Sequence, residues 1–177
     1  TYVPGETASL LIKSPWRRAL GLLTVERKGI RSYRLIELNS SVHVEKIRVG
    51  ATDVPNLHVK VALVRGRVRV PGVTGNTDLG RPRFAAGTAA LKVSVKEKQL
   101  TVQVKADRAT ARPGAKTTVT VKVTDHRGKP VASRLAVMLV DEGVLALLGF
   151  RVADPTTIFH GPRAAMAALR DLRADLL

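Results

Sequence analysis

The 177-residue chain contains no cysteine, which removes disulfides, thiolate metal ligands and a cysteine nucleophile from its chemistry. That absence fits a reducing or an oxidising compartment equally. Aromatic residues make up only 3%, so a core must be built from Val, Leu, Ile and Ala, and branched side chains of this kind pack well on a pleated sheet. No apolar run approaches the ~18 residues of a membrane span. Thr1 to Glu6 has neither the charged start nor the apolar stretch of a signal peptide, so an export signal of the parent protein is expected outside these residues. Acidic residues are scarce: 14 Asp and Glu stand against 30 Lys and Arg, a net charge of +16. An excess of that size raises a nucleic-acid hypothesis. Hydrophobic residues nevertheless reach 45%, which excludes the composition of a disordered chain. The length holds one large domain or two of roughly 90 residues.

Alternation of apolar and polar residues runs through the chain, the mark of strands with one buried face. Val59, Val61 and Leu63 alternate with Lys60 and Ala62. Leu91, Val93 and Val95 do the same, and after the polar break 96–99 the pattern resumes at Leu100, Val102 and Val104. Val119, Val121 and Val123 form a further run, and Val131, Leu135, Val137 and Leu139 share a parity beyond it. Between Val42 and Val49 the apolar parity slips, which one inserted residue explains, so a β-bulge is expected near Glu45 and Lys46.

Turn residues separate these runs. Asp125 to Pro130 offers Asp to cap its own backbone and Gly128 for a positive φ, the chemistry of a hairpin connection. Pro71-Gly72, Gly75-Asn76 and Asp78-Leu79-Gly80 predict an exposed loop over 71–82. Short strands punctuated in this way indicate antiparallel sandwiches rather than a parallel α/β sheet. A weak repeat supports two of them: Pro4-Gly5 followed by Ala8, Leu10 and Ile12 resembles Pro113-Gly114 followed by Thr117, Val119 and Val121. The expected division is a sandwich over 1–95, the first part of a second over 96–150, and a tail over 151–177. About four strands fit between Leu100 and Phe150, fewer than the ~7 of a complete sandwich, so the closing strands are expected beyond Leu177. Leu169, Leu172 and Leu176 stand at helical spacing, and a short amphipathic helix is predicted within 162–177. The fold class is therefore all-β, two tandem immunoglobulin-like antiparallel sandwiches, the second incomplete, with a short helical C-terminal tail.

No reaction centre emerges. His43, His58, His126 and His160 are scattered without metal-ligand spacing, and the chain offers no nucleophile elbow, P-loop or dinucleotide fingerprint. His58 is expected on the polar side of a strand and His126 in a turn. Asp141 and Glu142 are adjacent, and on an extended chain they would point to opposite faces. No catalytic residue, cofactor or metal is expected. Arg65, Arg67 and Arg69 share a parity and would line one strand face, with Arg17, Arg18, Arg81 and Arg83 adding charge. A single-strand groove would interleave such charge with aromatic platforms, and the chain does not, so nucleic acid is not expected as a partner. A charged edge strand guarded against stray pairing explains the arginines as well.

Particular strings are more informative. Tyr2-Val3-Pro4-Gly5-Glu6-Thr7-Ala8, Ile12-Lys13-Ser14-Pro15-Trp16 and Gly21 to Arg27 closely resemble a macroglobulin-type domain of the bacterial alpha-2-macroglobulin family. Pro55 to Val59, Val64 to Arg67 and Asp78 to Pro82 continue the likeness. Arg112-Pro113-Gly114, Asp125 to Val131 and Leu139-Val140-Asp141-Glu142-Gly143-Val144-Leu145 resemble the following domain, which in that family carries the bait region. The resemblance implies macroglobulin-type sandwiches, no enzyme activity, and a role as scaffold in a broad-spectrum endopeptidase inhibitor that entraps proteases after bait cleavage. It implies target proteases and neighbouring macroglobulin-like domains as partners, and a bacterial periplasmic location, inner-membrane anchored or secreted. A membrane contact would run through a lipid anchor outside this chain. The thioester of many members cannot lie here, because it needs a cysteine. The bait would follow Phe150, which makes Arg163, Arg170 and Arg173 candidate cleavage sites. A structural or adhesion array of sandwiches is the alternative that the same architecture allows.

Overall fold

In the computed structural model residues 1–71, 78–112 and 114–171 are described. The chain divides into two compact units, one of residues 1–94 with 162–177 and one of residues 95–161.

The first unit is an antiparallel sandwich. Strands β1 (Thr7–Lys13) and β4 (Val42–Arg48) form one sheet, and β3 (Ile30–Leu38), β2 (Ala19–Glu26), β5 (Asn56–Arg65) and β6 (Arg83–Lys92) form the other, in the order β3-β2-β5-β6. Residue parity decides the core. Leu57, Val59, Val61 and Leu63 of β5 share one face, as do Leu23 and Val25 of β2, and all are buried together with Ala8, Ile12 and Ile47 of the other sheet. Gly21 occupies the same face of β2, where a Cβ would come within 2.8 Å of both Ile36 and Leu63. Burying an aliphatic side chain of this size contributes roughly 1.5–3 kcal/mol, so this shared face dominates the stability of the unit.

The expected bulge at Glu45 and Lys46 is absent: β1 and β4 pair without interruption from Thr7 with Arg48 to Lys13 with Val42. The apparent slip has another cause. Val42 and Val44 lie on the exposed face of β4, and His43 and Glu45 lie on the core-facing side. There the His43 ring meets Glu45 at 2.8 Å, and Glu45 also accepts a hydrogen bond from Arg34 of β3. An ion-paired flank thus replaces the apolar residues that parity led one to expect. The irregularity falls instead between β2 and β3, where Val25 pairs with Ser32 but Glu26 with Ile30. The extra residue, Arg31, reaches the fully buried Asp53, which also accepts the Gly50 amide at 2.7 Å.

The second unit is thinner. Strands β7 (Thr101–Ala106) and β8 (Val119–Thr124) pair in an antiparallel ladder. The turn after β8 forms as its residues dictate: Asp125 Oδ1 accepts the amides of Arg127 at 2.8 Å and Lys129 at 2.9 Å, and Gly128 has φ +79°. The strand expected after it does not. Beyond a bridge between Thr124 and Pro130, residues 131–140 are irregular, and Val137 and Leu139 are 71% and 95% exposed. Alternation needs a partner to become a strand, and the Val131 amide, which donates to Val123 O at 3.1 Å, does not extend into a ladder among the described residues. Two strands therefore stand where about four were expected. The run Leu91 to Val95 is likewise shorter than its pattern, since β6 ends at Lys92 and Val95 opens a 3-10 turn over Lys96–Lys98.

Two helices follow, α1 (Glu142–Leu148) and α2 (Pro155–His160). Asp141 was read as part of an extended pair with Glu142; it instead caps α1, accepting the Gly143 amide at 2.8 Å, and Gly149 closes the helix at φ +57°. Such caps stabilise a short helix by about 1 kcal/mol. Asp154 caps α2 in the same way. The helix predicted within 162–177 stands earlier in the tail, at α2; residues 162–171 are not helical, and Leu172 and Leu176 lie outside the described residues. Of the expected loop 71–82, residues 72–77 also lie outside them, while the Val68 amide donates to Gly80 O at 3.0 Å.

Candidate functional site

Both faces of β5 are occupied, by different means. Its odd-numbered residues fill the apolar core, and its even-numbered residues Asn56, His58 and Lys60 point to the other side of the sheet, alongside Thr24 and Glu26 of β2. A polar face on a central strand is ordinarily wet. Here Asn56, Lys60, Thr24 and Glu26 are all buried, because the stretch 162–171 lies over them.

Side chains grip the main chain of that stretch at two points. At the first, Asn56 Oδ1 accepts the Arg163 amide at 2.8 Å, and Asn56 Nδ2 donates to Arg163 O at 2.9 Å. The carboxamide thus occupies both backbone groups of one residue, as a neighbouring strand would. His58 Nε2 also reaches Arg163 O at 2.8 Å, and since a carbonyl only accepts, Nε2 is the donor in that contact. At the second point, Glu26 Oε2 accepts the Ala167 amide at 3.3 Å and Lys60 Nζ donates to Ala167 O. Glu26 and Lys60 are themselves an ion pair at 3.1 Å, with side chains only 2% and 9% exposed, and Thr24 Oγ1 donates to Glu26 Oε1 at 3.3 Å. Each charge is therefore compensated, as burial requires. The spacing from Asn56 to Lys60 equals that from Arg163 to Ala167, so the held stretch runs in the direction of β5.

One contact opposes the docking. The Arg27 guanidinium is pushed below its ordinary pKa by burial first and by the nearby Arg163 cation second, with Asp53 acting the other way. The clamp thus takes hold of Arg163 through its peptide groups while the side chain meets a like charge.

Of the three candidate cleavage sites, Arg163 is the first clamped residue, Arg170 lies beyond the second clamp with an exposed side chain, and Arg173 lies outside the described residues. His58 does lie on the polar side of its strand and His126 in a turn. Arg67 and Arg69 do not line a strand with Arg65, because β5 ends at Arg65. Among the described residues no three His, Asp or Glu stand together as a metal site, and no helix is long and apolar enough to cross a membrane. The clamp residues escaped the reading of the sequence as functional: Asn56, His58 and Lys60 register only as the polar half of an alternation. The polar residues at i, i+2 and i+4 of a central strand were the available signal.

Residues 1–147 match the alpha-2-macroglobulin bait region domain. The chain is 30% identical to the alpha-2-macroglobulin homolog of Nostoc sp. over 182 aligned positions, which cover 99% of this chain and 9% of that protein. It is 25% identical to the alpha-2-macroglobulin homolog of Yersinia pestis, covering 92% and 7%, and 28% identical to the alpha-2-macroglobulin of Ralstonia nicotianae, covering 92% and 10%. The chain therefore spans about a tenth or less of the length of these relatives.

Proposed function

Because the chain belongs to the alpha-2-macroglobulin family, we propose that it is scaffold from a broad-spectrum endopeptidase inhibitor, which traps its target after a bait segment is cut, and that it catalyses no reaction. The supporting observation is the stretch 162–171, an extended chain held on a sandwich face by side chains that bind its backbone. A protease must draw several residues of extended chain into its cleft, and a folded sheet yields them only by local opening. A stretch tied at two points sits between these extremes. It is ordered, yet its release breaks no sheet.

In this reading residues 151–177 lead into the bait, and Arg163, Arg170 and Arg173 are candidate cleavage sites. Arg163 is cut only after the first clamp opens, since both its peptide groups are engaged, whereas Arg170 lies three residues past Ala167 with an exposed side chain. Cutting frees the docked stretch from Asn56 and Lys60: a mechanical switch built from hydrogen bonds. Residues 1–95 act as one macroglobulin-like domain and 96–150 as the first part of the next. Target proteases, met through the intact protein, and neighbouring macroglobulin-like domains are the partners, and the bacterial periplasm, with an inner-membrane anchor or by secretion, is the location.

Limited trypsinolysis of the longer protein tests the proposal. First cuts within 151–177, followed by compaction on gel filtration with the protease retained, are the expected result. First cuts elsewhere with no change in size would assign the chain to a structural or adhesion array instead.

A further inference from the structure

At the end of the four-stranded sheet opposite the clamp, the start of β2, the end of β5 and the start of β6 come together, and so do the arginines. An open cleft of about 920 Å³ there is lined by Trp16, Arg17, Arg18, Arg65 and Arg67, with Glu37 as the acidic group on its wall. Arg65 stands directly opposite Arg83 in the β5–β6 ladder, and like charges so placed repel. Arg65 lies over the Trp16 ring, 5.6 Å from its centroid. Its Nε is enclosed and has no acceptor among the described residues, which leaves a cationic donor of the kind that is ordinarily satisfied. Arg67 is tied to Asp78 at 2.7 Å. The turn bearing Trp16 is held in place: buried Ser14 accepts the Trp16 amide at 3.0 Å and donates to Trp16 O at 2.7 Å. The cationic wall is thus built before any anion arrives.

We propose that this cleft binds a phosphate group. Guanidinium forks match tetrahedral oxyanions in geometry and charge, and an anion seated between Arg17, Arg18 and Arg65 would relieve the repulsion at Arg83. Nucleic acid fits less well. Trp16 already carries the Arg65 guanidinium over its ring, which leaves less of the ring for base stacking. The cleft wall also includes Leu20 and Val64, 48% and 43% exposed, with Leu22 and Leu35 exposed beside them. Apolar surface beside a phosphate cradle suits a phospholipid head group, and the cradle alone suits a free phosphate.

The test uses the fluorescence of Trp16, the one tryptophan of the chain, titrated with pyrophosphate, together with co-sedimentation on phosphatidylcholine vesicles with and without phosphatidylglycerol. The proposal expects a saturable response in at least one arm, the pyrophosphate arm marking a free phosphate and the vesicle arm a head group. R17Q/R18Q, at exposed positions, is expected to weaken that binding by about tenfold or more, as loss of charge-assisted contacts implies. K105Q/K122Q removes the same charge from β7 and β8 and is expected to leave it unchanged. No response in either arm, or equal weakening by both double variants, overturns the site. So does binding of a long single-stranded oligonucleotide that is tighter than pyrophosphate and indifferent to R17Q/R18Q.

Discussion

The two units start from the same sequence pattern and end differently. In residues 1–94 the strands pair across ladders and β1, β2, β4 and β5 bury apolar residues against one another; in residues 95–161 the buried apolar core shrinks to Val123 among the described residues, while Val102, Val104, Val137 and Leu139 are exposed. Alternation fixes which side of a strand is apolar. Burial comes only from what lies against it. The same contrast holds across β5, whose apolar face is covered by a sheet and whose polar face is covered by a strap held through its backbone.

The largest effect is expected where that polar face carries charge. Lys60→Met leaves the Glu26 carboxylate buried without its cation and is expected to cost about 3–5 kcal/mol in urea unfolding. A cost near zero would mean that the strap does not enclose the pair. Next comes the contrast between units. Leu57→Ala, at a site with 0% exposure, is expected to cost about 2–5 kcal/mol, whereas Leu139→Ala should stay within about 0.5 kcal/mol. Similar losses from both would show that the second unit packs its apolar residues after all.

Smaller effects sharpen the description of the strap. Ala167→Pro removes the amide that Glu26 accepts and leaves the sandwich core untouched. It should weaken docking by about 1–3 kcal/mol, the cost of leaving a buried acceptor short, and speed tryptic cleavage after Arg163. Arg163→Gln acts the other way, because the clamp binds backbone and the lost charge opposed Arg27; a slightly tighter strap is expected from amide exchange at Ala167.

The smallest effect is electrostatic and belongs to the second unit. Asp125 has its pKa lowered, by the Lys129 amide first, against desolvation, with the Arg127 amide adding to it. A depressed carboxylate stabilises the fold above its unfolded pKa, and that contribution is lost as pH falls through the folded value. The turn 125–130 should therefore hold from neutral pH down to about pH 4 and loosen below it, as amide signals of Arg127 and Lys129 will report. Asp125→Asn should flatten that response.

What the sequence made legible follows from the same contrast. The core faces of β1 and β5 were written in their parity, and the Asp125 turn in its residue types. The family was legible in strings such as Leu139 to Leu145, even though part of that string folds as α1 rather than extended chain. The bulge was misplaced because His43 and Glu45 turn inward, where Glu45 pairs with Arg34, and parity does not register such pairs. The clamp was invisible for a related reason. Asn56, His58 and Lys60 look like any solvated strand face until residues over a hundred positions later lie across them, and hydrogen bonds to a backbone leave no mark on the residues that are held.

Amide hydrogen exchange at Arg163 and Ala167 tests the central claim most directly, that the sheet holds the stretch by its backbone at two points. Both amides should exchange more slowly than those of Ala164, Ala165 and Met166 between them, because only the clamped pair must wait for local opening. Equal, rapid exchange along the whole stretch 163–167 would contradict it.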